Sequence, residues 1–88
     1  MQINHSAEFK RAYKDRIQKN PQLKELFWEA NDIFEQNPYD SALRTHRLSG
    51  PLEGKYAFSV DHDCRVVFHF INENHVVFLD IGSHDQVY

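Results

Sequence analysis

The chain predicts an α+β fold: two N-terminal helices forming an αα-hairpin, packed on one face of a small antiparallel-rich β-sheet. Three observations carry the prediction. Residues 6–36 place apolar side chains at helical spacing, residues 55–82 place them in alternation, and the composition, with seven phenylalanines against three glycines and three prolines, suits a compact aromatic core. With 88 residues the chain is expected to be one domain, 1–88, near the lower size at which an apolar core suffices without staples.

Met1 to His5 alternates as a short strand. Ser6 then caps a helix whose apolar face is Phe9, Ala12, Tyr13 and Ile17, leaving Arg11, Lys14, Asp15, Gln18 and Lys19 in water. Asn20-Pro21 restarts the chain, because asparagine is a good N-cap and proline suits the first helical position. Leu23, Leu26, Phe27, Ala30, Ile33 and Phe34 keep helical spacing until Asn37-Pro38 ends it. Trp28 falls just off this stripe, where it suits either core packing or a partner.

The second half reads as a meander. A three-residue turn at Asp61-His62-Asp63 and a two-residue turn at Glu73-Asn74 place Tyr56, Phe58, Val60, Val66, Phe68, Phe70, Val77, Leu79 and Ile81 on one face. That face is expected to cover the helices. The other receives Lys55, Ala57, Ser59, Arg65, Val67, His69, Ile71, Val76, Phe78 and Asp80, with no second helix layer left to cover it.

Charge narrows the function. Residues 1–44 carry seven basic and seven acidic side chains, whereas residues 45–88 carry three and six, together with five of the six histidines. A net charge of −3 argues against a free nucleic-acid binder, although protonation of those imidazoles near pH 6.5 strengthens any affinity for polyanions. The lone Cys64 excludes an internal disulfide, and no apolar run is long enough to span a bilayer, so a cytoplasmic protein with no membrane association is expected.

The groups that could do chemistry converge at one end of the open face. Arg65 starts its strand opposite the position where Gly82 ends the last one, so the guanidinium, His84 and Asp85 fall within reach of one another and of the Asp61–Asp63 turn. Lys55 and Ser59 flank them. A cation with an imidazole and a carboxylate suits cleavage of a phosphodiester by its own 2′-hydroxyl: one group removes the hydroxyl proton, Arg65 stabilises charge on phosphorus and another group protonates the leaving 5′-oxygen. The cluster Asp61, His62, Asp63, Cys64, His84 and Asp85 lacks a recognised zinc spacing, and Cys64 reads as a small strand residue. His69 suits either packing or contact with a partner, and His5 and His75 read as exposed.

The string Leu43-Arg44-Thr45-His46-Arg47-Leu48-Ser49-Gly50, followed by Leu52-Glu53-Gly54, Tyr56, Phe58, Ser59-Val60, Asp63-Cys64-Arg65-Val66-Val67-Phe68 and the closing Gly82-Ser83-His84-Asp85-Gln86-Val87-Tyr88, resembles the RelE/ParE superfamily of bacterial toxins. The likeness is strongest to its YafQ-like and RelE/StbE-type messenger-RNA interferases and runs over essentially the whole chain. The resemblance implies the toxin of a type II toxin–antitoxin system, a ribosome-dependent endoribonuclease that cuts messenger RNA in the A site without a metal or other cofactor. It implies as partners a cognate antitoxin, the ribosome and the message, with the toxin monomeric when free and hetero-oligomeric with its antitoxin.

By position the resemblance makes His46, Asp63, Arg65, His84 and Tyr88 catalytic. His84 acts as general base or acid with His46 or Asp63 as counterpart, Arg65 clamps the transition state and Tyr88 stacks a base. Arg44, Arg47, Lys55, Ser59, His62 and Asp85 would contact RNA or ribosome, Ser59 standing where YafQ-like enzymes carry a second histidine. Two alternatives remain at this stage: a ParE-like poison of DNA gyrase, and a catalytically silent binding module. The exposed apolar groups Val67, Ile71, Val76 and Phe78, with Trp28, would receive a helical antitoxin segment.

Overall fold

The structure, a computed structural model, describes residues 1–88. Ser6 caps α1, Ala7–Arg16, its hydroxyl accepting the Phe9 N–H at 3.0 Å. Asn20 caps α2, Pro21–Gln36, in the same way through the Leu23 N–H at 3.1 Å, with Pro21 in the first turn. Both starts are those the sequence predicts. The sheet contains β1 (Gln2–His5), β2 (His46–Arg47), β3 (Tyr56–Ser59), β4 (Arg65–Asn72) and β5 (His75–Gly82), in the order β1-β5-β4-β3-β2. β1 runs parallel to β5 and every other pairing is antiparallel. A short helix, α3 (His84–Val87), closes the chain.

Both predicted turns form. Val60 N–H donates to Cys64 C=O at 2.8 Å around Asp61–Asp63, Ser59 pairs with Arg65, and Asn72 pairs with His75 around Glu73-Asn74. Between β4 and β5, however, the register is not uniform. Val67 faces Asp80 but Phe68 faces Phe78, so Leu79 is an extra residue on β5; Phe70 faces Val76 but Asn72 faces His75, so Ile71 is an extra residue on β4. These compensating irregularities reverse the alternation between them. Val76 and Phe78 therefore enter the core, fully buried, while Val77 and Leu79, expected there, are only half-buried.

Six phenylalanines make the centre of that core: Phe34 lies with its ring centroid 4.9 Å from Phe58, 5.0 Å from Phe68 and 5.4 Å from Phe78, and Phe9 and Phe27 extend the stack under α1 and α2. Trp28 is exposed, yet it packs edge-on against Phe27 and donates its indole N–H to the Tyr13 hydroxyl at 3.0 Å, tying the two helices together. The other face is not bare either. Ala57 and Val67 are buried on it, and α3, with Val87 buried, packs against β4 and β5. The apolar docking surface read from the sequence is thus reduced to Ile71 and Trp28, since Val67, Val76 and Phe78 are covered.

His5 is not the exposed residue the sequence suggests. Its ring lies 4.6 Å from Phe9 and 5.5 Å from Phe78, and burial, then the Lys10 charge, lowers its pKa below 6.5. The unfolded chain therefore takes up a proton first, so this contribution to stability is complete above about pH 6.5 and is lost as pH falls through the lower folded-state value. Thermal melts should give a Tm that declines from pH 7 to pH 5, with a shallower decline in His5→Phe. His75 is also half-buried, its ring against the Asn4 side chain across the β1–β5 pair.

Candidate active site

β5 ends at Gly82, and Ser83 starts α3 with Gln86 accepting the Ser83 N–H at 2.8 Å. His84 and Tyr88 are four residues apart and share one side of this turn, their rings edge-on with centroids 4.6 Å apart. Arg65, opposite Gly82 in the register, holds its guanidinium carbon 5.6 Å from the centre of the Tyr88 ring. Arg65 and His84 therefore meet the same aromatic side chain. The Arg65 Nε is buried and has no hydrogen-bond partner in the protein, a donor desolvated at a cost. Asp85, fully exposed, lies 3.5 Å from the His84 Nδ1.

His46 comes from the other edge of the sheet. It sits on β2 in register with Ala57, and its Nδ1 is 2.9 Å from the Arg44 carbonyl, Arg44 itself being left-handed at φ 52°. A carbonyl only accepts, so Nδ1 carries the proton and Nε2 presents a lone pair to solvent. His46, Arg47, Leu48, Ser49, Pro51, Leu52 and Tyr88 line a concavity of about 390 Å³, which joins the His46 strand to the C-terminal turn. Arg47 donates from Nε to the Tyr56 hydroxyl at 3.3 Å, and that bond lowers the Tyr56 pKa and raises that of Arg47. Lys55 anchors the intervening loop through its backbone, donating to Leu52 at 3.0 Å and accepting from Leu48 at 2.9 Å.

Asp63 and His62 stand elsewhere. Both are exposed on the β3–β4 turn, which is shaped by the Asp61 carboxylate accepting the N–H groups of Asp63 at 2.8 Å and Cys64 at 2.7 Å. They line a larger cleft of about 550 Å³ with Arg16, Asn20, Gly82 and Gln86, none of which borders the His46 concavity. Ser59 and Arg44 share with His62 a third, smaller depression of about 200 Å³. The structure thus gathers Arg65 and His84 on Tyr88, with Asp85 beside His84, makes Tyr88 also a wall of the His46–Arg47 concavity, and leaves Asp63, His62, Ser59 and Arg44 in other hollows.

Cys64 takes no part in this chemistry. It is buried, and desolvation, then the charges of Asp61 and Asp63, push its thiol up to about 12. A thiol that stays protonated at neutral pH is a poor nucleophile. A colorimetric disulfide reagent should leave the native protein unmodified over minutes and react with one thiol per chain in denaturant.

The sequence profile described as bacterial toxin of type II toxin-antitoxin system, YafQ, matches residues 1–88. The chain belongs to the YafQ family. The fold agrees with that membership. It is similar to the YafQ toxin of Escherichia coli, with 17% identity and a TM-score of 0.83 over 99% of this chain and 97% of that one. It is also similar to a YoeB/ParE toxin from Agrobacterium tumefaciens, with 12% identity and a TM-score of 0.79 over 96% and 99% of the two chains. A third similar structure is the Escherichia coli DinJ–YafQ complex, with 17% identity and a TM-score of 0.75 over 99% and 97%. No curated protein sequence gives a significant match.

Leu48, Ser49, Pro51 and Leu52 wall the concavity, but nothing in their spacing announces a wall. Gln86, three residues after Ser83, is the capping-box signal S-x-x-Q that could have revealed α3.

Proposed function

We propose that this YafQ-family toxin, acting as a single domain, is a ribosome-dependent endoribonuclease that cleaves messenger RNA in the A site and so inhibits translation. The observation that carries the reading is the meeting of Arg65 and His84 on Tyr88, beside a concavity shared with His46. His46, with Nε2 free to accept, removes the 2′-hydroxyl proton; the 2′-oxygen attacks phosphorus and the P–O5′ bond breaks. His84 donates a proton to the departing 5′-oxygen, and the Arg65 guanidinium, beside Tyr88, bears the charge on the phosphoryl oxygens. Tyr88 supplies a face for one base. These groups supply proton transfer and charge stabilisation without a metal, so cleavage on ribosomes held in magnesium should be unaffected by 1,10-phenanthroline, a chelator that removes transition metals and leaves magnesium in place.

A cognate antitoxin is the natural partner of a family defined by type II toxin–antitoxin systems, and the DinJ–YafQ complex is the precedent. The toxin is then monomeric when free and hetero-oligomeric when neutralised. Inducing the chain in bacteria should arrest growth, and mapping 5′ ends on messages bound to purified ribosomes should reveal new ends within the A-site codon. Intact transcripts with loss of supercoiling would overturn this reading in favour of gyrase poisoning.

A further inference from the structure

The helix that carries His84 and Tyr88 cannot hold itself. It spans four residues, and a single turn fixes several dihedrals for very few hydrogen bonds. Its direction must come from what it leans on. At its base, the Arg16 guanidinium reaches across from the end of α1, with Nη1 donating to the Ile81 carbonyl at 3.0 Å and lying 3.2 Å from the Asp80 carboxylate. On the next residue, a Cβ added to Gly82 would lie 2.9 Å from Arg16 Nη1 and 2.6 Å from Gln86 Oε1. The same Gln86 oxygen accepts the Ser83 N–H at 2.8 Å. Two side chains from opposite ends of the chain therefore close on one backbone point that only a hydrogen leaves open.

We infer that Arg16 and Gln86 are positioning residues, a brace that sets the angle at which α3 leaves β5 and so holds His84 and Tyr88 over Arg65. Neither borders the His46 concavity, so they act on the reaction only through the helix. The inference rests on the proposed nuclease reading for its kinetic consequence but not for its structural one. Arg16 fixes the strand end, and Gln86 fixes the first turn after it. Loss of either lets Tyr88 drift from the guanidinium while the six-phenylalanine core is untouched.

The test compares Arg16→Ala, Gln86→Ala and Gln86→Glu with the parent chain on ribosomes programmed with a defined message, alongside the imidazole proton resonances of His84 and His46. A catalytic group misplaced by about 1 Å costs on the order of 100-fold, so the two alanine variants should lose roughly 10- to 100-fold in kcat with KM nearly unchanged. The His84 resonances, shielded by the Tyr88 ring, should move toward exposed values, while those of His46 stay in place. Gln86→Glu keeps an acceptor for Ser83 and should restore both readouts. Gln86 is exposed, so its alanine variant also guards against a trivial loss of folding. Unchanged His84 resonances in Gln86→Ala, or a rise in KM equal to the fall in kcat, would overturn the brace. A parent chain that cuts no message but shifts its His84 resonances on substitution would refute the nuclease reading and leave the brace standing.

Discussion

Arg65→Ala is expected to lower message cleavage on the ribosome by roughly 100- to 1,000-fold, the range for removing one preorganised donor from a developing oxyanion. The fold should survive the change. The Nε has no protein partner to strand, and the guanidinium lies over Tyr88 at the end of the chain. Arg65→Lys should not restore activity, because an ammonium lacks both the planar fork that pairs with a phosphate and the flat surface that lies on the tyrosine ring. His84→Ala belongs to the same experiment, with an expected loss of about 100- to 10,000-fold for a proton-transfer group. The two together should cost much less than the product of the two losses, since both act in one step. Growth arrest on induction is the coarse readout and single-turnover cleavage the fine one. Full cleavage by Arg65→Ala would remove the guanidinium from the mechanism.

The contrast between these residues and Asp63 says how far the site could be read in advance. Arg65 and His84 were legible as neighbours because the two-residue Glu73-Asn74 turn sets the β4–β5 register, and the two irregularities within that pair cancel before Arg65 meets Gly82. Asp63 is adjacent in sequence but lies on the turn, where direction is set by the Asp61 carboxylate gathering backbone N–H groups rather than by strand alternation. That local choice turns it toward the α1–α2 cleft. The last helix escaped for a different reason. Four residues carry no periodicity to detect, and their helical state comes from Gln86, Arg16 and the buried Val87, which are contacts of the folded chain.

The middle of β5 offers the most discriminating test of the fold, because two readings of one strand make opposite predictions. Uninterrupted alternation from the Glu73-Asn74 turn would bury Val77 and Leu79; the paired irregularities bury Val76 and Phe78 instead. Phe78→Ala should therefore cost about 3 to 5 kcal/mol, the range for a fully buried phenylalanine whose cavity cannot collapse. Its ring meets Phe9, Phe34 and Phe58 at centroid distances of 5.5, 5.4 and 5.5 Å, so no single neighbour can move in to fill the space. Domains of this size hold about 4 to 13 kcal/mol in total, and so the variant should be partly unfolded near physiological temperature. Leu79→Ala, at a half-buried position, should cost less than half as much. Urea unfolding of the two variants decides the register: a Leu79 loss equal to or larger than the Phe78 loss would restore the unbroken alternation. The consequence reaches the site, because the bulge at Leu79 restores the phase that sets Gly82 opposite Arg65. Without an extra residue there, a core built on Phe78 and a rim built on Arg65 and His84 could not belong to the same strand pair.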